Sequence, residues 1–254
     1  SVRVDEDQEE AARRIEKFDL IALPVVDERE ALVGIITHDD ALDVLVQEQT
    51  EDIEKLMAIT GTHEATGYLK TPSWVHFRRR SIWVVVLAAL GLVSGFIVQS
   101  FEGLLLQFAV LATFMPMLAD TGGNTGSQSA TLVVRALALR EISPRDLWRV
   151  IAKELQVALM LGLLLAVLAY GRVLLFHGSA SMTGGHPLWL VGVAVAAALA
   201  IQVVTSTLIG AVLPMAAAKL KFDPAVVASP ALTTVVDITG LLIYFLTVKA
   251  ILRV

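Results

Sequence analysis

The 254-residue chain contains no cysteine. Disulfide bonds, thiolate metal sites and thiol catalysis are therefore excluded. Histidine is also scarce, and the five histidines follow no spacing typical of a catalytic triad or a metal motif. Without a convincing pair of nucleophile and base, we expect a protein that is not an enzyme.

Charge is unevenly distributed along the chain. Residues 1–60 carry a formal charge of −11, with six basic and seventeen acidic residues, whereas the remainder carries +6. Hydrophobic residues make up 56% of the chain and concentrate in the second part. This division predicts an acidic soluble head followed by a membrane body. An acidic head argues against nucleic acid as a partner and favours divalent cations.

Four long runs contain no charged side chain or only one, and each is long enough to cross a bilayer as a helix. They are residues 81–101, 155–171, 188–218 and 225–248. A further apolar segment, residues 104–135, is interrupted by a proline and several glycines and is longer than a plain span needs. We therefore expect five membrane spans, with a break in the second span near its glycines.

Basic residues gather before the first span, between spans two and three, and between spans four and five. Since cytoplasmic loops are enriched in Lys and Arg, this bias predicts a cytoplasmic N-terminal domain and a multi-pass protein of the cell membrane. Residues 172–187 are then expected to form an external loop.

The head has the pattern of a small α/β unit. Residues 7–18 are amphipathic, and two apolar strands are predicted at 20–26 and 32–37, before a second helix from about residue 39. Residues 48–61 are acidic with one apolar side, which predicts a linker helix. We divide the chain into a regulatory domain (1–47), a linker (48–77) and a pore domain (78–254).

Asp237 stands at the centre of the last apolar run. A carboxylate there costs about 2.5–3.5 kcal/mol on insertion scales, and such groups usually mark a transport path. On a helix, Thr233 and Ser229 share its face. The alternative is a protonated or threonine-paired carboxyl that only holds helices together.

The candidate ligands in residues 120–129 and 229–240 are all oxygen donors: carboxylate, amide, hydroxyl and backbone carbonyl. None of the five histidines lies in these segments, which disfavours zinc and copper and favours Mg2+, Mn2+ or Ca2+. Mg2+ loses its waters reluctantly, so one carboxylate with several neutral oxygens suits a partly hydrated Mg2+.

The head resembles a cystathionine-β-synthase-type (CBS) domain in residues 23–27 (LPVVD) and 34–40 (GIITHDD). In nucleotide-binding members, the positions of Thr37 and Asp40 contact the ribose and phosphates, which implies an ATP site here. The other reading is that Thr37 caps a helix with Asp40 in its first turn.

Together with this head and the acidic linker, residues 122–131 (GGNTGSQSAT) and the spaced motif of 223–240 resemble the MgtE family of magnesium channels. The resemblance implies a homodimer in the bacterial inner membrane, with five spans per subunit and a pore on the dimer axis centred on Asp237. Further metal candidates are Thr233, Ser229, Asn124 and Asp223, although Asp223 could equally cap the last span. Pore-lining candidates are Gly122, Gly123, Gly126, Gln128 and Thr234.

In the family, a plug helix matching residues 39–59 closes the pore when Mg2+ binds between it and the cytosolic domains. Regulatory candidates are Asp39, Asp43, Glu48, Glu51 and Asp52. Family members usually carry a helical domain and a first CBS domain ahead of this region, so we expect a truncated chain that permits permeation without complete feedback closure. The alternatives are a proton- or sodium-coupled carrier, in which Asp237 titrates, and a membrane sensor without transport.

Overall fold

The structure, a computed structural model, describes residues 1–59, 68–176, 185–227 and 230–254. It separates into two compact units, Ser1–Arg79 and Arg80–Val254. The first contains a small sheet, and the second is helical. This confirms a mostly helical protein with an α/β region at its N-terminal end.

The sheet of the head has three strands in the order β1 (Val2–Arg3), β2 (Ala22–Val26) and β3 (Leu32–Thr37). Strand β2 is central, parallel to β1 and antiparallel to β3. Helices α1 (Gln8–Lys17) and α2 (His38–Leu56) pack together. The core of the head is small and apolar, formed by Val2, Ala11, Ala12, Ile15, Leu23 and Ala41.

Helix α2 runs without interruption through the segment predicted as the start of the linker. The boundary that we place at residue 47 therefore falls inside a helix. Local capping explains where α2 begins, because the Thr37 side chain accepts a hydrogen bond from the backbone N–H of Asp40, and the Asp40 carboxylate accepts one from the N–H of Thr37 at 3.0 Å.

In the part of the chain that the structure describes, five long helices lie wholly or mainly in the second unit. They are α3 (Ser73–Ser100), α5 (Met115–Ala138), α6 (Leu147–Phe176), α7 (Leu188–Lys219) and α9 (Pro230–Leu252), with short helices α4 (Glu102–Gln107) and α8 (Pro224–Val227). Helix α7 is central and packs on α5, α6 and α9. Among the described residues, four segments are long and apolar enough to cross a membrane: Ser73–Ser100, Pro144–Leu175, Leu188–Lys219 and Pro224–Leu252. Helix α5, the remaining long helix, is more polar than these segments.

A buried aromatic group joins α9 to the segment before α5. The Tyr244 hydroxyl donates to the carbonyl of Leu111 at 3.0 Å, and the Phe245 ring stacks on Phe101 with centroids 4.7 Å apart. A buried tyrosine hydroxyl needs a hydrogen-bond partner of this kind. These contacts hold the second half of α9 against the segment that precedes α5.

The predicted break near the glycines of the second span is wrong. Helix α5 is continuous through Gly122 and Gly126, and the irregular backbone lies earlier, in a 3-10 helix over Ala109–Phe114. The glycines remain helical because neighbouring helices pack directly on them, so their low intrinsic propensity is overridden by tertiary contacts.

The prediction that an external loop begins at residue 172 is wrong, because α6 continues to Phe176, and most of the predicted loop, residues 177–184, lies outside the described residues. Arg172 lies near the end of this helix, four residues before Phe176. Its guanidinium donates to the carbonyl of Thr113 at 3.2 Å and lies 4.4 Å from the ring centroid of Phe114. A charge at the end of an apolar helix is tolerated here since it satisfies a carbonyl of the 3-10 segment.

Candidate metal centre

Asp237 lies near the middle of the last span-forming segment, Pro224–Leu252. Its side chain is half-buried, and its Oδ1 atom is buried without a hydrogen bond from any described residue. A buried carboxylate oxygen without a donor is unfavourable unless a cation, a proton or another donor reaches it. Asp237, the predicted central residue, therefore has a carboxylate oxygen that is available to bind a cation.

Helix α5 meets α9 at the level of this carboxylate. The Ser127 hydroxyl lies 3.4 Å from that of Thr233, one turn before Asp237. Gly123 faces the same pair, because a Cβ atom added there would lie 2.8 Å from Cγ2 of Thr233 and 3.9 Å from Oδ1 of Asp237. The structure thus brings together the predicted Thr233, Asp237 and Gly123, and adds Ser127, which the sequence did not single out.

Two amide side chains lie on α5 beside the residues that contact α9. Asn124 and Gln128 are one helical turn apart and both are exposed in the single chain. They stand next in sequence to Gly123 and Ser127, which contact α9. Helix α5 therefore offers amide groups near the Asp237 carboxylate and the hydroxyls of Ser127 and Thr233.

The glycines of α5 make close contacts within the chain. A Cβ on Gly122 would lie 3.1 Å from Cγ1 of Val236, and one on Gly126 would lie 3.2 Å from the carbonyl oxygen of Ser206. Gly210 on α7 approaches the Gly126 backbone even more closely, since an added Cβ would overlap the Gly126 carbonyl. The observed contacts are those of helix packing, and pore lining by Gly122 and Gly126 stays a prediction.

Three other predicted residues have different surroundings. Thr234 donates its hydroxyl to the carbonyl of Pro230 at 3.2 Å. Asp223 accepts from the backbone N–H of Ala225 at 2.9 Å, which is the capping interaction left open from the sequence. Ser229 lies outside the described residues.

The nucleotide candidates Thr37 and Asp40 form the capping box at the start of α2. Hydrogen bonds from the Thr37 side chain and backbone lower the pKa of Asp40. The structure thus shows the capping arrangement, whereas nucleotide binding remains an expectation.

The regulatory candidates lie along α2. Asp39 and Asp43 are exposed, Glu48 accepts from the Gln8 amide at 2.8 Å, and Glu51 pairs with Lys55 at 2.8 Å. Asp52 is half-buried. Within the described ranges, no group of three or more His, Cys, Asp or Glu side chains converges on one point.

Two polar contacts between helices were missed from the sequence. Ser129 on α5 donates to Glu154 on α6 at 2.8 Å, and Gln202 of α7 donates to the carbonyl of Leu118 at 2.9 Å. Gln202 could have been noticed, because it is a large polar residue inside an uncharged run of the fourth span.

Comparisons with known proteins match both parts of the chain. The family model MgtE, described as a divalent cation transporter, matches residues 115–247, and the CBS domain model matches residues 1–47. A magnesium transporter MgtE from Thermus thermophilus is 44% identical over 252 residues, covering 99% of this chain and 53% of that protein. The namesake from Bacillus subtilis is 39% identical over 240 residues, covering 94% and 50%. The chain spans about half the length of the curated relatives it matches.

Proposed function

Because the chain belongs to the MgtE family of divalent cation transporters, we propose that it conducts Mg2+ passively across a membrane through a pore lined by α5 and α9. Five spans, α3, α5, α6, α7 and α9, form each subunit. The observation that carries the proposal is the buried, unpartnered oxygen of Asp237 at the contact of α9 with α5. The relatives are named magnesium transporters, which supports the choice of ion.

The pore forms between two copies of the chain. Each chain supplies one Asp237, and two Asp237 carboxylates around one divalent ion balance its charge. The exposed amides of Asn124 and Gln128 on α5 support this arrangement, because polar groups facing lipid are costly whereas the same groups facing a water-filled path are not.

The ion passes with part of its water shell. Thr233, Asn124 and nearby carbonyls bind these waters, while the Asp237 pair supplies the charge. Oxygen ligands are shared by Mg2+, Mn2+ and Ca2+, so the preference for Mg2+ rests on matching the size of the hydrated ion. A membrane potential of 100 mV contributes about 4.6 kcal/mol to the entry of a divalent ion, twice the figure for a single charge.

The head lies in the cytoplasm of a bacterial cell and regulates the pore. The acidic α2 carries the regulatory candidates, and Mg2+ bound there together with other cytosolic parts favours closure. ATP binding by Thr37 and Asp40 is a further possibility of the CBS domain, and it would compete with the observed capping box.

The proposal is tested by measuring Mg2+ uptake into liposomes containing the purified protein. Asp237→Ala is expected to abolish uptake while the protein remains folded. The matched control is Thr239→Val on the same helix, because the Thr239 hydroxyl donates within its own helix, to the carbonyls of Val235 at 2.9 Å and Val236 at 3.1 Å. Normal uptake by Asp237→Ala would remove Asp237 from the mechanism.

The same assay separates the two alternatives. Uptake driven against the Mg2+ gradient by a proton or sodium gradient would indicate a coupled carrier. Absence of flux under every gradient, from a folded protein, would favour a membrane sensor whose CBS head signals to other proteins.

A further inference from the structure

Gln202 is the most deeply buried large polar side chain among the described residues of α7. Its side chain is 1% exposed, in the middle of a helix whose run 188–218 has no charged residue. A buried amide is unfavourable unless its hydrogen bonds are made. Its Nε2 atom donates to the Leu118 carbonyl on α5, but its Oε1 atom accepts from no described donor.

Two glycines on two other helices make room for this amide. A Cβ atom added at Gly122 of α5 would lie 3.3 Å from Cδ of Gln202, and one at Gly240 of α9 would lie 2.8 Å from the same atom. In both cases the Nε2 atom would be closer still. The amide of α7 therefore lies between α5 and α9, in a position that an added Cβ on either glycine would overlap.

This space is level with the candidate metal centre. Gly122 precedes Gly123, which faces Thr233 and Asp237, and Gly240 follows Asp237 by three residues, about one helical turn. The position of the amide and the separation of α5 from α9 at Asp237 are thus coupled through direct contacts.

Stability alone does not explain a glutamine here. Its Oε1 atom, buried without a hydrogen bond from any described donor, lowers stability and offsets part of what the hydrogen bond to the Leu118 carbonyl contributes. A residue that sets a functional distance accounts for both the hydrogen bond and the paired glycines.

We infer that Gln202 is a positioning residue that sets the spacing of α5 and α9 at Asp237, and thereby the size of the hydrated cation that the pore admits. The link to the cation rests on the proposed function, whereas the link to helix spacing does not. Gln202 itself touches no ion.

The first test measures spacing without measuring transport. Because the chain has no cysteine, the pair Ser127→Cys/Thr233→Cys can be introduced directly and its rate of oxidative cross-linking followed in membranes. Gln202→Met keeps the volume but loses the hydrogen bond to Leu118, and we expect it to change this rate by about fivefold, the effect of one net hydrogen bond. The control pair Ser129→Cys/Glu154→Cys, between α5 and α6, should keep its rate.

The second test measures ion choice. Gln202→Met is expected to change the ratio of Mg2+ to Ca2+ flux by about fivefold. Gly240→Ala should change it similarly, because the new methyl displaces the amide, and adding Gly240→Ala to Gln202→Ala should have little further effect. Gly95→Ala is the matched control, since a Cβ there meets no atom within 4 Å.

The outcomes separate the two claims. Unchanged cross-linking and an unchanged flux ratio in a folded Gln202→Met protein would overturn the inference, as would additive effects of Gly240→Ala and Gln202→Ala. Altered cross-linking together with normal flux through Asp237→Ala would retain Gln202 as a spacer but reject Asp237 as the ion site, and with it the selectivity role.

Discussion

The two units of the molecule use carboxylates in opposite ways. The head carries many, and those on α2 are exposed or have ordinary partners, such as Gln8 for Glu48 and Lys55 for Glu51. The helical unit places one carboxylate, Asp237, midway along a span, with an oxygen that no described donor reaches. The contrast teaches that burial without a partner, rather than the number of charges, distinguishes a candidate ion site from a solvated acidic surface.

The comparison is tested most strongly by removing charge alone from each unit. Asp237→Asn keeps the shape of the side chain, and we expect Mg2+ uptake to fall by at least about a hundredfold, since both carboxylates of the pore are lost. The exposed pair Asp39→Asn/Asp43→Asn should leave uptake unchanged in vesicles that contain no internal Mg2+. Equal losses from the two variants would contradict the distinction between the units.

Packing differs between the units as well. Gly210→Ala on α7 would press a methyl group against the backbone of Gly126, and we expect a loss of about 2–3 kcal/mol of stability from overpacking. In the head, a Cβ on Gly34 meets no atom within 4 Å, so Gly34→Ala should have little effect. The measurement is the thermal midpoint of each variant in detergent. A Gly210→Ala midpoint equal to that of the wild type would show that α5 and α7 can move apart without loss of stability.

A smaller effect is expected at the start of α2. Thr37→Ala removes the N-cap side chain, which typically costs about 1 kcal/mol, and amide exchange in the first turn of α2 should rise accordingly. Uptake at fixed voltage should stay normal if this contact is only a helix cap. A large loss of ATP binding, if the wild type binds ATP, would instead point to the nucleotide role.

The same substitution has a pH signature. Hydrogen bonds from Thr37 lower the pKa of Asp40, so the folded head is favoured above the unfolded-state pKa of this carboxyl, and that contribution is lost as the pH falls through the lowered value. Amide exchange of the α2 start should therefore accelerate in wild type as the pH falls below about 4, with a weaker dependence in Thr37→Ala after correction for intrinsic exchange. Parallel profiles would show that Asp40 makes no folded-state contribution.

The smallest effect is expected from the exposed pair of Glu51 and Lys55, which are 2.8 Å apart. Glu51→Gln should change stability by no more than about 0.5 kcal/mol, because solvent and salt screen such a pair. Thermal midpoints at low and high salt provide the measurement. A larger loss of stability that does not depend on salt would contradict this expectation and would show that Glu51 has a structural role.

Most of the architecture could be predicted because it depends on local patterns. Uninterrupted apolar runs located α3, α7 and α9, and the N-cap signal at Thr37 located the start of α2. The continuity of α5 through its glycines could not be predicted, since glycine lowers helix propensity and only contacts with α7 and α9 compensate for it. The same limit explains the misplaced start of the external loop, because Arg172 is retained in α6 by a carbonyl of a distant segment.

For the candidate metal centre, the sequence alone determined that a carboxylate, Asp237, lies inside an apolar run and that helical spacing places Thr233 on the same face. Both properties follow from composition and from 3.6 residues per turn. Tertiary structure decided which groups face that carboxylate: Ser127 meets Thr233 across 106 positions, and Gln202 meets Leu118 across 84. Such contacts depend on which helices pack together and how closely, and the glycines that permit the approach reveal their partners only once the helices are assembled.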